Sequence, residues 1–379
     1  MKFKWFLSNQ IYLLILYSSS TLLPMRKIIV FVFLFVSVLA IAQQPEYKVF
    51  LVGDAGEDEL PGEVLDSLHS KLLANPNSAV VSMGDNSYKD KLGFIPSFRG
   101  FDSTKVTREH ILSQLEIMEG YKGSVYFVPG NHDWWNSANY TRGKHGLKME
   151  ESIVEVNLKK NKTIANPDST FLPRDGMPGP TSVELDNKRV RIVCIDTYWL
   201  ISLGYRRVAP ERFDIEKKFY HDLDSTLAYA TAQGQTVFVV AHHPVYSDGL
   251  KKTNGWKHPY FIMRYKQNRR DFPSYKAMID KLTAMFEKYP GVYFASGHLH
   301  AMQYHVINGV HYIISGAGSK LHNMSGPEAI KPCEMNNCNL WNEKGFFEVD
   351  VYNKDRQEVI MYHADGRKSC NLSEPGGCK

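Results

Sequence analysis

The sequence predicts an α/β protein with a mainly parallel sheet covered by helices, followed by antiparallel strands at the end of the chain. Apolar, β-branched strands alternate with amphipathic helices over residues 47–128, which is the pattern of parallel strands joined by helices. Later in the chain, Asn308-Gly309 separates two strand-like segments, a strong signal for a two-residue hairpin. No repeat, low-complexity tract or linker interrupts this order, so residues 43–379 are predicted to form a single domain.

Hydrophobic periodicity places the individual elements. The predicted strands cover residues 47–52, 79–83, 125–128, 190–195, 237–240 and 292–295, and two hairpins follow at 304–314 and 346–362. The predicted helices cover residues 110–118, 148–160 and 211–230. A further helix begins at Pro61 and carries Val64, Leu65, Leu68, Leu72 and Leu73 on one face, and another carries apolar positions from Tyr275 to Phe286. Residues 91–107 are predicted to be a loop, and 136–180 a long excursion around the 148–160 helix.

The amino terminus has the features of a secretory signal. Met25-Arg26-Lys27 precedes an apolar run over residues 28–41, which ends in the small residues of Ala40-Ile41-Ala42. The run is shorter than the roughly 20 residues of a membrane-spanning helix, which makes an uncleaved anchor the lesser alternative. Residues 1–42 are therefore interpreted as a signal peptide, with Met25 a candidate for the true start, and the mature protein is expected to be secreted or periplasmic, without a membrane segment.

Charge and cysteine content narrow the function classes. The segment 1–42 carries four basic residues and no acid, so its removal lowers the formal net charge from +5 to +1. The mature chain is thus not basic overall, and nucleic acid is not an expected partner. Two disulfides among Cys333, Cys338, Cys370 and Cys378, with Cys194 as a buried free thiol, are the simplest allocation for an exported protein. Local pairing is one of three connectivities, and the lack of a Cys-x-x-Cys motif disfavours a cysteine zinc site.

Five predicted strands end in residues that bind metals. The stretch Val80-Val81-Ser82-Met83 leads into Gly84-Asp85, with Tyr88 three residues further on. In open α/β sheets, ligands bind in the crevice outside the carboxyl ends of the strands. Each motif alone is explained by a turn or a helix cap, but five in succession are not. The strand ends deliver, in order, Asp54, Asp85 with Tyr88, Asn131 with His132, His242, and His298 with His300.

This set of side chains predicts a binuclear metal site. Carboxylate, imidazole, amide and phenolate groups suit iron, zinc or manganese. Seven such ligands are too many for one ion and about right for two. Two ions roughly 3.5–4 Å apart can clamp the attacking and leaving oxygens of an in-line displacement at phosphorus, and can lower the pKa of bound water towards about 7 to provide hydroxide. The sequence therefore predicts hydrolysis of a phosphate ester.

The histidine pairs differ in what they predict. His298 and His300 alternate on an extended segment, so both imidazoles can point the same way. His242 and His243 are adjacent, so their imidazoles are expected to diverge and only one of them to serve the site.

The strand-end motifs resemble the five sequence blocks of the purple acid phosphatases, which belong to the calcineurin-like metallophosphoesterases. The resemblance covers residues 53–300. Generic members of that superfamily have a His two residues after the first Asp, whereas this chain has Gly56 there and Tyr88 in the next block, as in the purple acid group. The blocks are Asp54, Gly84-Asp85-x-x-Tyr88, Gly130-Asn131-His132-Asp133, Val239-x-x-His242 and Gly297-His298-x-His300.

The resemblance implies a four-layer αββα metallophosphoesterase sandwich, with two mixed sheets flanked by helices, and two metal ions. Fe(III) would be held by Asp54, Tyr88 and His300, with a phenolate charge transfer that colours the protein. Fe(II), Zn(II) or Mn(II) would be held by Asn131, His242 and His298. Asp85 would bridge the two ions. The compact length resembles the small, tartrate-resistant type of enzyme.

The remaining site residues follow from the same resemblance. His132 would not be a ligand but a catalytic residue that faces the phosphate, where it stabilises charge or protonates the leaving oxygen. Asp133 would orient an imidazole through a hydrogen bond, with a helix cap as the equal alternative. Asn86 is a further candidate for substrate or supporting contacts. After the fourth-block His the small enzymes commonly have Tyr-Pro, whereas this chain has His243-Pro244, which leaves substrate preference and pH optimum open.

The expected activity is that of an exported acid phosphatase acting on a small phosphorylated substrate, by attack of metal-bound hydroxide. A phosphodiesterase or nucleotide pyrophosphatase using the same site is one alternative, and a metal-retaining, non-catalytic phosphate-binding protein is another. The basic segment 251–270 is either a lid or a solvated loop, and Trp134 and Trp135 either wall the pocket or pack in the core. The sequence leaves the oligomeric state open.

Overall fold

The structure, a computed structural model, describes residues 7–8, 11–12, 44–58, 60–88, 103–135, 137, 139–202, 211–247, 273–321, 340–341 and 343–372. Residues Pro45–Lys379 form one compact unit. Within the preceding unit, Leu7–Ser8 pairs antiparallel with Ile11–Tyr12. The apolar run of the predicted signal peptide, the basic segment 251–270, and Cys333, Cys338 and Cys378 lie outside the described residues.

In chain order, strands and helices alternate before the chain ends in strands. The helices are α1 (Glu63–Ala74), α2 (Ser103–Glu116), α3 (Tyr140–Leu158), α4 (Thr197–Ile201), α5 (Arg212–Ala232) and α6 (Pro273–Phe286). The strands of the first half are β1 (Tyr47–Val52), β2 (Ser78–Met83), β3 (Ser124–Val128), β4 (Thr181–Leu185), β5 (Val190–Cys194) and β6 (Thr236–Val240). The later strands are β7 (Tyr293–Ser296), β8 (Met302–Ile307), β9 (Val310–Ser315), β10 (Leu340–Trp341), β11 (Gly345–Asn353), β12 (Arg356–His363) and β13 (Lys368–Asn371).

The strands form two mixed sheets. The first has the order β13-β12-β11-β1-β2-β3, in which β1, β2 and β3 are parallel and the last three strands of the chain are antiparallel. The second has the order β10-β8-β9-β7-β6-β5-β4, with a parallel centre formed by β5, β6, β7 and β9. This arrangement, with helices outside both sheets, confirms the predicted sandwich of two mixed sheets flanked by helices.

Alternation along the strands divides the core into layers. Val49 and Leu51 of β1 belong to the cluster that lies between the two sheets, together with inward residues of β2, β5, β6 and β11. Phe50 and Val52 point the other way, into a cluster that includes the apolar faces of the helices. Because successive side chains of a strand face opposite sides, a strand buried on both faces needs apolar residues at nearly every position. That requirement explains the continuous apolar runs in the sequence.

Local sequence signals explain several helix boundaries. Asn139 caps α3, since its side chain accepts a hydrogen bond from Arg142 N, and Asp196 caps α4 in the same way through Trp199 N. Helix α1 has Glu63 and Asp66 in its first turn and Lys71 in its last, which complements the helix dipole.

Most predicted elements are present, but six differ. Residues 103–107 belong to α2, although they were predicted to be loop, and α3 begins at Tyr140 rather than near residue 148. Strands β4, β10 and β13 and the short helix α4 were missed. Strand β4 is an edge strand with half-exposed residues, so it lacks the apolar run that identified the buried strands. Cys194 in β5 is a buried free thiol, as predicted. Among the described residues, no helix is both long and apolar enough to cross a membrane.

Helix α1 provides a matched test of the packing. Leu68 is fully buried, whereas Leu73, predicted to share the apolar face, is 48% exposed. Leu68→Ala is expected to lower the free energy of unfolding by about 2–5 kcal/mol, because it removes buried methyl groups and leaves a cavity. Leu73→Ala should change it by less than about 0.5 kcal/mol. Urea unfolding followed by circular dichroism measures both, and equal effects of the two substitutions would contradict this packing.

Candidate metal centre

The loops after five strands meet at one place, where the ends of both sheets lie together. Asp54, Asp85 and Asn131 follow β1, β2 and β3 of the first sheet, while His242 and His298 follow β6 and β7 of the second. Within each sheet, hydrogen bonds join neighbouring loops. Asp54 N donates to Gly84 O at 3.0 Å, and Gly297 N donates to His242 O at 3.0 Å. All seven predicted ligand residues are brought together here.

Three of these residues form a first cluster of donor atoms. Tyr88 Oη donates a hydrogen bond to Asp54 Oδ1 at 2.6 Å and lies 3.2 Å from His300 Nε2. His300 Nε2 is 3.3 Å from Asp54 Oδ1, which closes a triangle of two oxygens and one nitrogen. Asp54 is fully buried and Tyr88 nearly so. Burial, and next the charge of Asp54, raise the pKa of Tyr88 well above its ordinary value, so the phenol of Tyr88 is protonated in the protein alone.

Three residues, Asn131, His242 and His298, form a second cluster beside the first. Asn131 Oδ1 lies 3.1 Å from His242 Nε2 and 3.0 Å from His298 Nδ1. His242 Nε2 is also 3.2 Å from Asp85 Oδ1. Ligand atoms of Asp54, Asp85 and His242 all lie within 4.8 Å of one another, so Asp85 stands between the two clusters.

The spacing within each cluster fits metal ions. Nitrogen and oxygen ligands bind transition metals at about 2.0–2.2 Å, so ligands that share one ion lie about 3 Å apart. The donor atoms of both clusters have that spacing, and they are the carboxylate, imidazole, amide and phenol groups that suit iron, zinc or manganese. The residues present therefore fit a pair of ions.

Burial and neighbouring charges shift the pKa values of the titrating groups at the site. Burial lowers the pKa of His242, but the carboxylate of Asp85 outweighs this effect and raises the pKa of His242 to about 9. Burial would raise the pKa of Asp85, but the charges of His242 and His132 hold it below its ordinary value. Burial, and next the charge of His242, lower the pKa of His298 to about 3. His298 is therefore neutral, which is the form in which an imidazole binds a metal. His242 carries a proton, which a bound metal would displace.

Three candidate ligand residues have strained backbones. Asp54, Asp85 and His298 have φ angles of +56°, +54° and +68° although none is glycine. Such conformations cost energy and persist where the surrounding structure enforces them, which occurs most often at functional sites. Here the strain turns each side chain from the strand end into the shared site.

Gly56 cannot carry a side chain in this fold. A Cβ atom there would lie 2.2 Å from the backbone carbon of Asn86. Gly56 N donates to Asp85 O at 3.2 Å, and Tyr88 N donates to Gly56 O at 3.0 Å. The loop of Tyr88 therefore fills the space that a His at position 56 would need, so the two sequence differences in these blocks are one structural change.

Asp133 joins the two loops that carry Asp85 and Asn131. Its Oδ1 accepts hydrogen bonds from Asn86 N at 2.8 Å and Ser87 N at 3.3 Å. Its Oδ2 accepts from Gly130 N at 2.7 Å and Asn86 Nδ2 at 3.0 Å. These four donors are backbone and amide groups, and Glu150 also forms a side-chain hydrogen bond with Asp133, whereas the sequence predicted an imidazole partner or, equally, a helix cap. Burial, and next the charge of Asp85, raise the pKa of Asp133 to about 6, which leaves its carboxyl group ionised at neutral pH.

Asn86 also helps to hold the loops of Asp85 and Asn131 together. Its Nδ2 donates to Val128 O at 3.1 Å, and its Oδ1 accepts from Ser82 Oγ at 2.7 Å. Gln114 Nε2 donates to Asn86 O at 2.8 Å. The Asn86 side chain is fully buried, so it holds the loop in place and does not face substrate.

His132 lies at the opening of the site. Its side chain is 27% exposed, and its ring centre is 4.6 Å from that of Tyr88. Its backbone N–H donates to Asp85 Oδ1 at 2.8 Å, and its Nε2 lies 3.9 Å from Asp85 Oδ2. The carboxylate between the two clusters thus also fixes the backbone of the imidazole that faces outward.

His243 lies closer to the site than the sequence predicted. Its ring is perpendicular to that of His242, yet ligand atoms of His242, His243 and His298 lie within 4.8 Å of one another. Thr197 Oγ1 accepts a hydrogen bond from His243 N at 2.9 Å and lies 3.0 Å from His243 Nδ1. His243 is fully buried, so it contacts the second cluster from inside the protein.

The two tryptophans after His132 differ in burial. Trp134 is fully buried, and its Nε1 donates to Asp196 Oδ2 at 2.7 Å, so it packs in the core. Trp135 is half-buried, with a φ of +56°.

Sequence reasoning missed two residues at the site. Thr197 follows the end of β5 in Asp196-Thr197, a strand end that carries a carboxylate like the others, and that signal could have revealed it. Lys320 follows β9 in the loop Gly316-Ala317-Gly318-Ser319-Lys320, and its Nζ lies 2.8 Å from the ring centre of Tyr88. No pattern in the sequence predicted that contact.

The two mixed sheets, the outer helices and the paired donor clusters define the class of metal-dependent phosphoester hydrolases with an αββα sandwich. A sequence profile of the calcineurin-like phosphoesterase family matches residues 47–302. The chain belongs to this family, whose members use a dimetal centre. A comparison with curated protein sequences found no match.

Three solved structures are similar to this chain at low sequence identity. The purple acid phosphatase from yellow lupin (Lupinus luteus) seeds has 15% identity and a TM-score of 0.51, over 85% of this chain and 52% of that one. A dimetal phosphatase from Danio rerio has 12% identity and a TM-score of 0.48, over 84% of this chain and 96% of that one. The GAP50 anchor of the Plasmodium inner membrane complex has 18% identity and a TM-score of 0.48, over 88% and 91%.

The role of Asp133 can be tested with a substitution that keeps its shape. Asp133→Asn replaces one acceptor oxygen by a donor that faces N–H groups, so we expect the free energy of unfolding to fall by about 1–3 kcal/mol. Metal affinity is expected to fall about 10–100-fold, because the loops of Asp85 and Asn131 lose their common anchor. Urea unfolding and competitive metal titration measure these effects. Asp175→Asn, at an exposed ion pair with Lys148, is the control, and an Asp133→Asn protein that matches it in both measurements would refute the role.

Proposed function

We propose that the protein is a phosphomonoester hydrolase of the acid phosphatase type, with a binuclear metal centre that includes iron. The observation that carries the proposal is the pair of donor clusters on either side of Asp85, with the phenol of Tyr88 in one of them. Family membership supports phosphoester hydrolysis, and the phenol supports the purple acid type within the family.

The first cluster suits Fe(III) and the second a divalent ion. Asp54, Tyr88 and His300 offer two oxygens and one nitrogen, and a phenolate is a ligand that a hard ferric ion favours. Asn131, His242 and His298 offer one oxygen and two nitrogens, suited to Fe(II), Zn(II) or Mn(II), and the carboxylate of Asp85 would be shared by the two ions. When bound, such a pair of ions supplies Lewis acidity at phosphorus and lowers the pKa of water near it.

Side chains at the site orient the ester and donate a proton to it. His132 stands at the opening with its backbone fixed by Asp85, so its imidazole can donate a hydrogen bond to a phosphate oxygen or a proton to the leaving oxygen. A small phosphorylated molecule is the proposed substrate. We also propose that the protein is exported, on the basis of the signal sequence, and acts free of membranes and nucleic acid.

An absorption spectrum and metal analysis of the purified protein test the iron assignment. We expect about two metals per chain, at least one of them iron, and a broad visible band from a Tyr88 phenolate bound to Fe(III). Tyr88→Phe should lose the band, while substitution of the distant Tyr229 by Phe should leave it unchanged. Two metals without a band would indicate a zinc or manganese enzyme, and no bound metal after reconstitution would refute the binuclear centre.

Substitution of His132 tests the catalytic assignment. His132→Ala should lower kcat for p-nitrophenyl phosphate by about 10²–10⁴-fold, because the developing charge loses its donor, with bound metal unchanged. His145→Ala, a change outside the two donor clusters, is the control. Unchanged turnover in His132→Ala would exclude the role. Comparable hydrolysis of bis-nitrophenyl phosphate by the unmodified protein would favour a phosphodiesterase, and phosphate binding without any turnover would favour a binding protein.

A further inference from the structure

Lys320 lies against a candidate metal ligand. Its Nζ is 2.8 Å from the ring centre of Tyr88, whose hydroxyl belongs to the first donor cluster, and His132 packs on the same ring. The Lys320 side chain is 16% exposed, so it borders the opening without being fully solvated. A positive charge is therefore held at the part of the site where a phosphate would enter.

The loop that carries Lys320 is anchored to the loop of Asp54. Ser319 N donates to Asp54 O at 3.1 Å, and Ser319 Oγ donates to the same oxygen at 2.5 Å. Glu57 N donates to Ser319 Oγ at 3.2 Å, and Gly318 N donates to Gly53 O at 3.1 Å. A Cβ atom at Gly318 would lie 2.5 Å from Gly53 O, so the two loops touch closely along their backbones. Lys320 thus keeps its position relative to the first cluster.

The Lys320 ammonium group has capacity for an anion. It forms an ion pair with Glu57, and an ammonium group has three donors, of which this pair uses one. The two side chains keep some exposure, 16% for Lys320 and 23% for Glu57, so an incoming anion can reach the ammonium group and compete with Glu57. Lys320 is suited to contact a phosphate as a compact point charge.

We propose that Lys320 is a phosphate-binding residue of the site, and that Glu57 pairs with its ammonium group until an anionic ester enters and replaces Glu57. The inference rests on the proposed function, since it assigns a residue to the recognition of that substrate. A phosphate would then meet two groups of the protein, the ammonium group of Lys320 on the Tyr88 side of the site and the imidazole of His132. The contribution is to binding in both the ground state and the transition state, which alters KM more than kcat.

The test compares four variants of the metal-loaded protein by calorimetric titration with inorganic phosphate and by kinetics with p-nitrophenyl phosphate. Lys320→Met keeps the stem and removes the charge. It is expected to weaken phosphate binding about 10-fold and to raise KM similarly, with kcat and bound metal nearly unchanged. Lys320→Arg should retain most of the affinity. Glu57→Gln should tighten phosphate binding a few-fold, because the competing carboxylate charge is gone. Lys276→Met, an exposed lysine paired with Asp280 on α6, is the matched control.

The outcomes separate this inference from the proposed function. Unchanged phosphate affinity in Lys320→Met, or a loss of metal in that variant, would overturn the inference while leaving hydrolysis by the unmodified protein in place. Phosphate binding that depends on Lys320 in a protein without monoester hydrolysis would support the inference and refute the proposed activity. A protein that binds no phosphate at all would overturn the inference as well.

Discussion

The candidate site depends on one buried carboxylate, that of Asp133. Its two oxygens accept hydrogen bonds from three backbone N–H groups and from the Asn86 amide, and these donors belong to the loops after β2 and β3. The loops carry Asp85, which lies between the two donor clusters, and Asn131, which supplies an oxygen to the second one. An ionised carboxylate satisfies buried N–H groups more strongly than a neutral acceptor does. Because Asp133 is fully buried, water cannot replace it, so the spacing of the two candidate ligands follows from its presence.

The second constraint is that the site lies where two sheets end. The first sheet contributes the carboxylates and the amide, and the second contributes His242 and His298. The layer between the sheets is filled by strand residues such as Leu51, Val81 and Val240, whose packing fixes the distance between the strand ends. Histidines from one sheet therefore meet oxygens from the other at about 3 Å, without either sheet providing a complete set of ligands. A substitution that removes buried apolar volume from this layer therefore affects the distances between the candidate ligands as well as the stability of the fold.

The sequence was most informative where a residue type has few alternatives. Five strand ends with Asp, Asn or His identified the site, since such residues seldom follow buried strands in succession, and the structure brings them together. The apolar runs identified six of the strands because a strand buried on both faces admits little else. Strand β4 was missed because an edge strand carries a weaker pattern, and Leu73 was placed on the wrong face because a helix stripe has no sharp boundary.

By itself, the sequence determined the fold class, the order of most of its elements and the chemical identity of the candidate ligands, because periodicity and residue type are local properties of the chain. Only the tertiary structure decided how those ligands divide into two clusters, that Asp133 serves the loops and not an imidazole, and that Trp134 belongs to the core. It also brought Thr197 to His243 and Lys320 to Tyr88, contacts between residues far apart in the chain. Such pairs depend on how the sheets and loops pack in three dimensions, and no spacing along the sequence encodes that packing.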